Sequence, residues 1–358
     1  MIIGRMKNDF LKVRPLYIAG PCSAESEEQL FSVASRLRED HSIKLIRAGI
    51  WKPRTRPGSF SGVGEEGLKW MSAIQKKLDV KFCTEVASAS HVDLALKHDI
   101  TTVWIGARTT VNPFMVQEIA DALKGTGLKV MIKNPVNPDL SLWIGGIERI
   151  LQAGIEDITA IHRGFSVHQS SQYRNAPIWQ IPLELKSKFP DIPVIIDPSH
   201  IAGHSKYVPE ISQRAFDLLF DGLMVEVHEN PPEALSDAKQ QITPQVFGAM
   251  ITSLKMRDQQ ITDEVLASMR EEIDHADMEL INLFSKRLGL SQQIGEYKKT
   301  LNASIFQPNR WNEIMKTRPE WGGELGMNKE FIEDIFRRIH QESVRQQTEL
   351  FKDKNEKK

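Results

Sequence analysis

The sequence predicts an α/β fold, a (β/α)8 TIM barrel, followed by a small all-α domain, and three observations carry that reading. Short apolar runs alternate with helical stretches from Pro15 to about Leu254. Four side chains able to ligate a metal, Cys22, His200, Glu226 and Asp237, each follow such a run directly or by a short loop. Side chains from the first and last strands meet at one point only if the sheet closes, and parallel barrels gather their chemistry at the carboxyl ends of the strands. After Leu254 strand-like runs stop and helix formers dominate.

Eight segments read as strands. The first is Leu16-Tyr17-Ile18-Ala19, followed by 44–48, 80–84, 102–105, 129–132 and 157–161, then Val194-Ile195-Ile196 and Leu223-Met224-Val225. Several are continuously apolar, as expected where helices cover both faces of a sheet. Helical stretches between them include 27–39, 65–78, 112–123, 142–153 and 206–219. A doubly wound open sheet would read similarly, but site residues recurring at both ends of the strand series favour closure.

The barrel is expected over 1–255, a linker over 256–264 and the helical domain over 265–358, with a helix start at Thr262-Asp263-Glu264. Met269, Ile273, Ala276, Leu280, Leu283, Arg287, Leu290, Ile294, Tyr297 and Leu301 step by four and three in alternation, a heptad seam longer than ordinary globular helices carry. Asn302 and Pro308 break it. A short helix near 309–317, a turn at Gly322-Gly323 and a last helix from about Lys329 to Leu350 follow, and the polar tail 352–358 is expected to fray.

Composition narrows the function classes. With 358 residues, one large and one small domain are expected, and 41% hydrophobic residues suffice for a sizeable core. A net charge of −1 offers no field for nucleic acid or an acidic membrane, so small-molecule chemistry is favoured. Only Cys22 and Cys83 are present, which argues against a secreted disulfide scaffold. No apolar run of about 18 residues appears. A cytoplasmic enzyme is the expectation.

A thiolate, an imidazole and two carboxylates suit one divalent metal of the manganese, iron, cobalt or zinc class, with no organic cofactor. Singly, a cysteine after a strand is more often a small buried hydrophobe, and Asp237 could cap a loop; together at strand ends they read as ligands. Cations also follow the strands: Arg47, Lys52, Arg54, Arg108, Lys133 and Arg163. Six on one rim would repel unless anions sit among them, so phosphorylated or carboxylated substrates are implied. Glu85 is the acid in that set.

Five ordered motifs then carry a resemblance: Ala19-Gly20-Pro21-Cys22-Ser23-Ala24-Glu25, Lys52-Pro53-Arg54-Thr55, Ile105-Gly106-Ala107-Arg108, Asp197-Pro198-Ser199-His200 and Leu235-Ser236-Asp237-Ala238. They resemble the 3-deoxy-D-arabino-heptulosonate 7-phosphate (DAHP) synthases, in the compact subtype near 3-deoxy-D-manno-octulosonate 8-phosphate synthase, with little ahead of the first strand to form an N-terminal regulatory domain. The resemblance implies metal-dependent condensation of phosphoenolpyruvate with erythrose 4-phosphate. It assigns Cys22, His200, Glu226 and Asp237 to the metal, and Arg47, Lys52, Arg108, Lys133 and Arg163 to phosphoenolpyruvate. Arg54 and Thr55 fall to the sugar phosphate, Lys52 to proton donation and Glu85 to water positioning. The octulosonate synthase usually carries Lys-Ala-Asn-Arg where this chain has Lys-Pro-Arg-Thr, which favours the four-carbon sugar. Lys133-Asn134-Pro135 departs from relatives with Lys followed by Arg-Gly.

In the tail, Arg287 occupies a seam position, where burying a guanidinium is costly without an anion, although it could snorkel outward at the seam's edge. Lys298, eleven residues on, lies about 20° around the helix from Arg287, whereas Arg270 is rotated about 100° away. Ser343 and Gln347, four apart, share a face. Residues 266–350 resemble the all-helical chorismate mutases, which form intertwined dimers of three helices per protomer. The resemblance assigns Arg287, Arg310 and a partner's Arg270 to carboxylates, Lys298 and Gln347 to the ether oxygen, and Ser343 to a further polar contact. Trp311 stands where relatives carry a glutamate that meets the substrate hydroxyl, and Gln307 replaces a common acid. A bifunctional transferase and isomerase of aromatic amino-acid biosynthesis is expected, as a homodimer or higher oligomer with allosteric feedback through the tail. The alternative is an octulosonate synthase-like barrel with a helical domain that senses chorismate or prephenate without turnover.

Overall fold

The computed structural model describes residues 15–52, 58, 60–167, 172–257 and 263–352. Arg54, Thr55 and nearly all of the expected fraying tail lie outside the described residues. The chain divides into two compact units, 1–259 and 260–358.

The first unit is a closed parallel barrel of eight strands in sequence order. They are β1 (Leu16–Gly20), β2 (Leu45–Arg47), β3 (Lys81–Val86), β4 (Thr102–Ile105), β5 (Lys129–Lys133), β6 (Ile158–His162), β7 (Val194–Ile196) and β8 (Gly222–Glu226). Closure pairs β1 with β8, Ile18 opposite Met224 and Gly20 opposite Glu226, so the open-sheet alternative is excluded. All eight expected strands are present. The sequence reading did not mark the helices Ala89–Lys97, Gln180–Lys188 and Pro244–Ser253, whose apolar faces are short.

Strand alternation sorts the core into two layers. Ile18, Cys83, Trp104, Met131, Ile161, Ile195 and Met224 form one buried cluster. Their neighbours along the strands, such as Ala19, Val103, Val130, Ala160 and Val225, belong to the other cluster, together with the apolar faces of the helices. Because successive side chains point to opposite faces, the first cluster fills the barrel and the second seals sheet to helices. Cys83 is therefore a core residue, and burial pushes its thiol up to about 12.

Among its described residues the second unit holds three helices, Glu264–Thr300, Pro308–Glu324 and Lys329–Phe351. Asp263 caps the first by accepting from the backbone N–H of Val265 and Leu266. Asn302, at φ 51°, turns the chain out of that helix at the expected place. The turn expected at Gly322-Gly323 is not there: the middle helix runs through both glycines to Glu324. A Cβ on Gly322 would lie 2.5 Å from Ile332 Cγ1, so this glycine lets two helices approach closely, and the reversal falls on Gly326 at φ 78°.

Of the large apolar side chains described in this unit, only Ile314 and Ile332 are buried. Along the long helix Met269, Ile273, Leu280, Leu283, Leu290, Ile294, Tyr297 and Leu301 are all at least half exposed. These apolar seam positions are therefore largely uncovered by the described residues. Among the described residues no helix is long and apolar enough to cross a membrane.

Candidate active sites

Each barrel donor is placed by its strand end. Cys22 follows β1 and is fully buried, its N–H donating to Gln241 Oε1 at 3.0 Å. Glu226 closes β8 beside Gly20 and is fully buried. His200 sits in the short helix Pro198–Ala202, whose cap Asp197 accepts from the His200 N–H at 3.0 Å. Asp237 turns the chain after β8 at φ 47°.

The four side chains share one neighbourhood. The Cys22 thiol donates to Asp237 Oδ2 at 3.4 Å, and His200 Nε2 lies 3.7 Å from Glu226 Oε1. Lys52 Nζ donates to Cys22 Sγ at 3.1 Å. Among the described residues, no group of three or more His, Cys, Asp and Glu donors is arranged so as to hold a metal ion. The donor chemistry nonetheless fits one. Glu226 Oε1 is buried, forms no hydrogen bond of good geometry and pairs with Arg47 at 3.0 Å, and two carboxylates, an imidazole and a thiol come together there.

Electrostatics prepare most of these groups. Burial would raise the Glu226 and Asp237 carboxyls, but His200 together with Arg47 and Arg174 respectively holds both below the usual range. Burial lowers His200, against the upward pull of Asp197. Burial and Glu226 push the Cys22 thiol up to about 12. Cys22 must therefore lose its proton to become a ligand.

Beside the donors is a cavity of 120 Å³. Arg108, Lys133 and Arg163 line it with Glu85, His200 and Asp237. Trp104 Nε1 donates to Glu85 Oε2 at 3.1 Å, and a Cβ on Gly106 would lie 2.1 Å from Glu85 Oε1, so only glycine leaves room for that carboxylate. Lys133 Nζ donates to Asp197 Oδ2 at 2.8 Å. Burial brings the Arg163 guanidinium down to about 10, where it is still charged at pH 7. The unusual Asn134 earns its position. Its side chain donates to the carbonyls of Pro135 and Gly164 and accepts from the Arg163 N–H at 2.7 Å, clamping the turn that carries Arg163.

Arg47 is placed differently from its expected neighbours. It is fully enclosed, 3.0 Å from Glu226 Oε1, and does not line the cavity. A three-residue strand ends at Arg47, whose guanidinium lies 5.2 Å from the ring of Trp104 in the barrel-filling cluster. Three residues that sequence reasoning missed belong to this site: Asp197, Arg174 and Gln240. Arg174 lines the cavity and donates to Asp237 Oδ1 at 2.9 Å. Nothing local marks Arg174, since it follows no apolar run; Asp197 was visible as the residue after a strand but was read only as part of a motif.

In the helical unit a cavity of 440 Å³ is lined by Arg287, Lys298, Arg310, Ser343 and Gln347, together with Gln307 and His340. Arg287 Nη1 donates to Ser343 Oγ at 3.2 Å, Lys298 Nζ to the Ile305 carbonyl at 2.5 Å, and Gln347 Nε2 to the Ser291 carbonyl at 2.8 Å. A Cβ on Gly295 would lie 2.7 Å from Gln347 Cγ, so glycine permits that approach. Burial lowers Arg287, and Arg318 and Arg310 add like-charge repulsion; burial also lowers Lys298. Arg270 is exposed and does not line this cavity. Trp311 packs on His340, ring centroids 4.4 Å apart.

Barrel, cation-walled mouth and helical cavity define a two-part enzyme built for small anionic compounds. The chain belongs to the DAHP synthetase I family, which matches residues 12–263, and the chorismate mutase type II family matches 269–348. The chain is 31% identical over 239 residues to the phospho-2-dehydro-3-deoxyheptonate aldolase of Thermotoga maritima, covering 66% of this chain and 68% of that protein. It is 28% identical over 263 residues to the 2-dehydro-3-deoxyphosphooctonate aldolase of Wolinella succinogenes, covering 67% and 97%. A crystal structure of the Thermotoga maritima DAHP synthase superimposes with a TM-score of 0.59 at 27% identity, covering 66% of each chain.

Proposed function

We propose that this chain condenses phosphoenolpyruvate with erythrose 4-phosphate to DAHP and phosphate in its barrel, and rearranges chorismate to prephenate in its helical unit, in the cytoplasm. The convergence of Arg108, Lys133 and Arg163 on one small cavity beside His200 and Asp237 carries the first half. Cys22, His200, Glu226 and Asp237 would hold one divalent metal, with manganese, iron, cobalt and zinc all suited to that donor set. When bound, the metal supplies Lewis-acid polarisation of the aldehyde oxygen.

The protein's own groups supply the rest. Arg108, Lys133 and Arg163 hold the carboxylate and phosphate of phosphoenolpyruvate, fixing its nucleophilic carbon toward the aldehyde. Arg54 and Thr55 hold the sugar phosphate. A carbon–carbon bond forms, water orientated by Glu85 adds to the cationic carbon, and phosphate leaves with its bridging oxygen. Lys52 Nζ delivers the proton that the new hydroxyl requires. Arg47 acts from beneath, keeping Glu226 ionised.

Pericyclic rearrangement of chorismate needs no acid, base or metal, only a held chair conformer and charge beside the breaking ether bond. Arg287 and Arg310 bind carboxylates, Lys298 and Gln347 meet the ether oxygen, and Ser343 adds a polar contact. The exposed heptad seam supports a homodimer in which the partner subunit contributes its copy of Arg270. Prephenate or chorismate in the tail would then report pathway output to the barrel as feedback.

One experiment separates the halves: both reactions assayed on the same preparation with and without a chelator. Condensation should stop and return with manganese, while chorismate loss continues. Condensation that persists in a fully stripped protein would overturn the metal reading, and chorismate loss no faster than the spontaneous rate would reduce the tail to a sensor.

A further inference from the structure

We propose that Arg174 and Gln240 form an outer relay that sets which oxygen of Glu226 and of Asp237 is presented to the metal. The inference rests on the metal reading above and makes both residues positioning residues.

The relay is a continuous hydrogen-bonded path. Gln240, 1% exposed, donates from Nε2 to Glu226 Oε2 at 2.6 Å. Its Oε1 accepts from Arg174 Nη1 at 2.9 Å, and the same nitrogen donates to Asp237 Oδ1 at 2.9 Å. Each carboxylate thus has one oxygen tied to the relay. The other oxygens face the remaining donors: Glu226 Oε1 lies 3.7 Å from His200 Nε2 and pairs with Arg47 Nη2 at 3.0 Å, and Asp237 Oδ2 lies 3.4 Å from Cys22 Sγ.

Polarity makes this arrangement one-directional. A guanidinium only donates, so it must meet the amide oxygen, which leaves the amide NH2 for Glu226. The Arg174 stem is seated by Gly203, where a Cβ would lie 2.4 Å from Arg174 Cβ, and by the Arg174 N–H donating to the Ala202 carbonyl at 3.2 Å. Two acids from the end of β8 and the loop after it are therefore orientated by one guanidinium from the segment between β6 and β7. Groups that orientate metal ligands in this way typically contribute about 10- to 100-fold in metal affinity.

The test is Mn2+ titration of the full chain by calorimetry, with the cobalt-substituted protein read by its thiolate-to-metal absorption. Gln240→Leu keeps the bulk and removes the donor; Arg174→Gln, at a half-exposed position, covers the case in which the buried variant does not fold. The expected result is a 10- to 100-fold loss of Mn2+ affinity and a shifted cobalt spectrum, with metal-free Arg174→Gln still unfolding in one cooperative thermal transition. Wild-type affinity in both variants, alongside loss of binding in Cys22→Ser, would overturn the relay and leave the metal reading standing. Tighter binding in Arg174→Gln would show the guanidinium competing with the metal and would also overturn the relay. A wild-type chain that takes up no Mn2+ would overturn both.

Discussion

Lowering the pH from 7 to 5 protonates histidine in an unfolded chain, but not His162 in the folded barrel. This residue ends β6 with no exposed surface, among Trp143, Phe165 and Trp179 at centroid distances of 6.4, 5.4 and 5.6 Å. Burial pushes the imidazole down to about 3, against a weaker upward pull from the Pro177 backbone. The folded value lies below the unfolded value of about 6.5, so its contribution to stability is whole above pH 6.5 and is lost as pH falls toward 3. At pH 5 the unfolded chain gains about 2 kcal/mol from protonation that the folded state cannot match. Urea titrations at both pH values, followed by tryptophan fluorescence, compare the wild type with His162→Phe. The wild type should lose about 2 kcal/mol more between pH 7 and 5 than the variant. Equal losses would refute the reasoning, because every other titrating group is common to both proteins.

A glutamate in the exposed seam should separate the protomers: Leu283→Glu is expected to weaken self-association by about 100-fold or more in sedimentation experiments, since it buries an unpaired charge. Chorismate conversion should fall with it while condensation persists. Arg287→Ala is expected to lower kcat/KM for chorismate by about 100- to 1000-fold, with phosphate release from phosphoenolpyruvate unchanged as the internal check. Arg163→Ala should raise KM for phosphoenolpyruvate about tenfold or more in steady-state assays, with chorismate kinetics unaltered.

The legible parts of this protein were those written in local pattern. The eight strands showed because apolar runs buried on both faces stand out between helices, and the seam showed because ten positions step by four and three. The Gly322-Gly323 turn was misread because a glycine that ends a helix and one that lets two helices touch look alike until Ile332 is seen against Gly322. Arg47 was expected at phosphoenolpyruvate from the family resemblance, and its enclosure against Glu226 could be seen only in the tertiary structure. Arg174 and Gln240 were invisible because their roles depend on side chains 63 and 14 positions away.

Composition and periodicity alone determined that this chain builds a parallel α/β unit and a helical unit, and which residue types stand at the strand ends. Those properties follow from neighbours a few positions apart. Only tertiary structure decided that β1 pairs with β8, bringing Cys22 beside Glu226 and Asp237, and that the helical unit leaves its own seam exposed. Closure and burial depend on contacts between distant segments, and no local pattern encodes the register in which those segments meet.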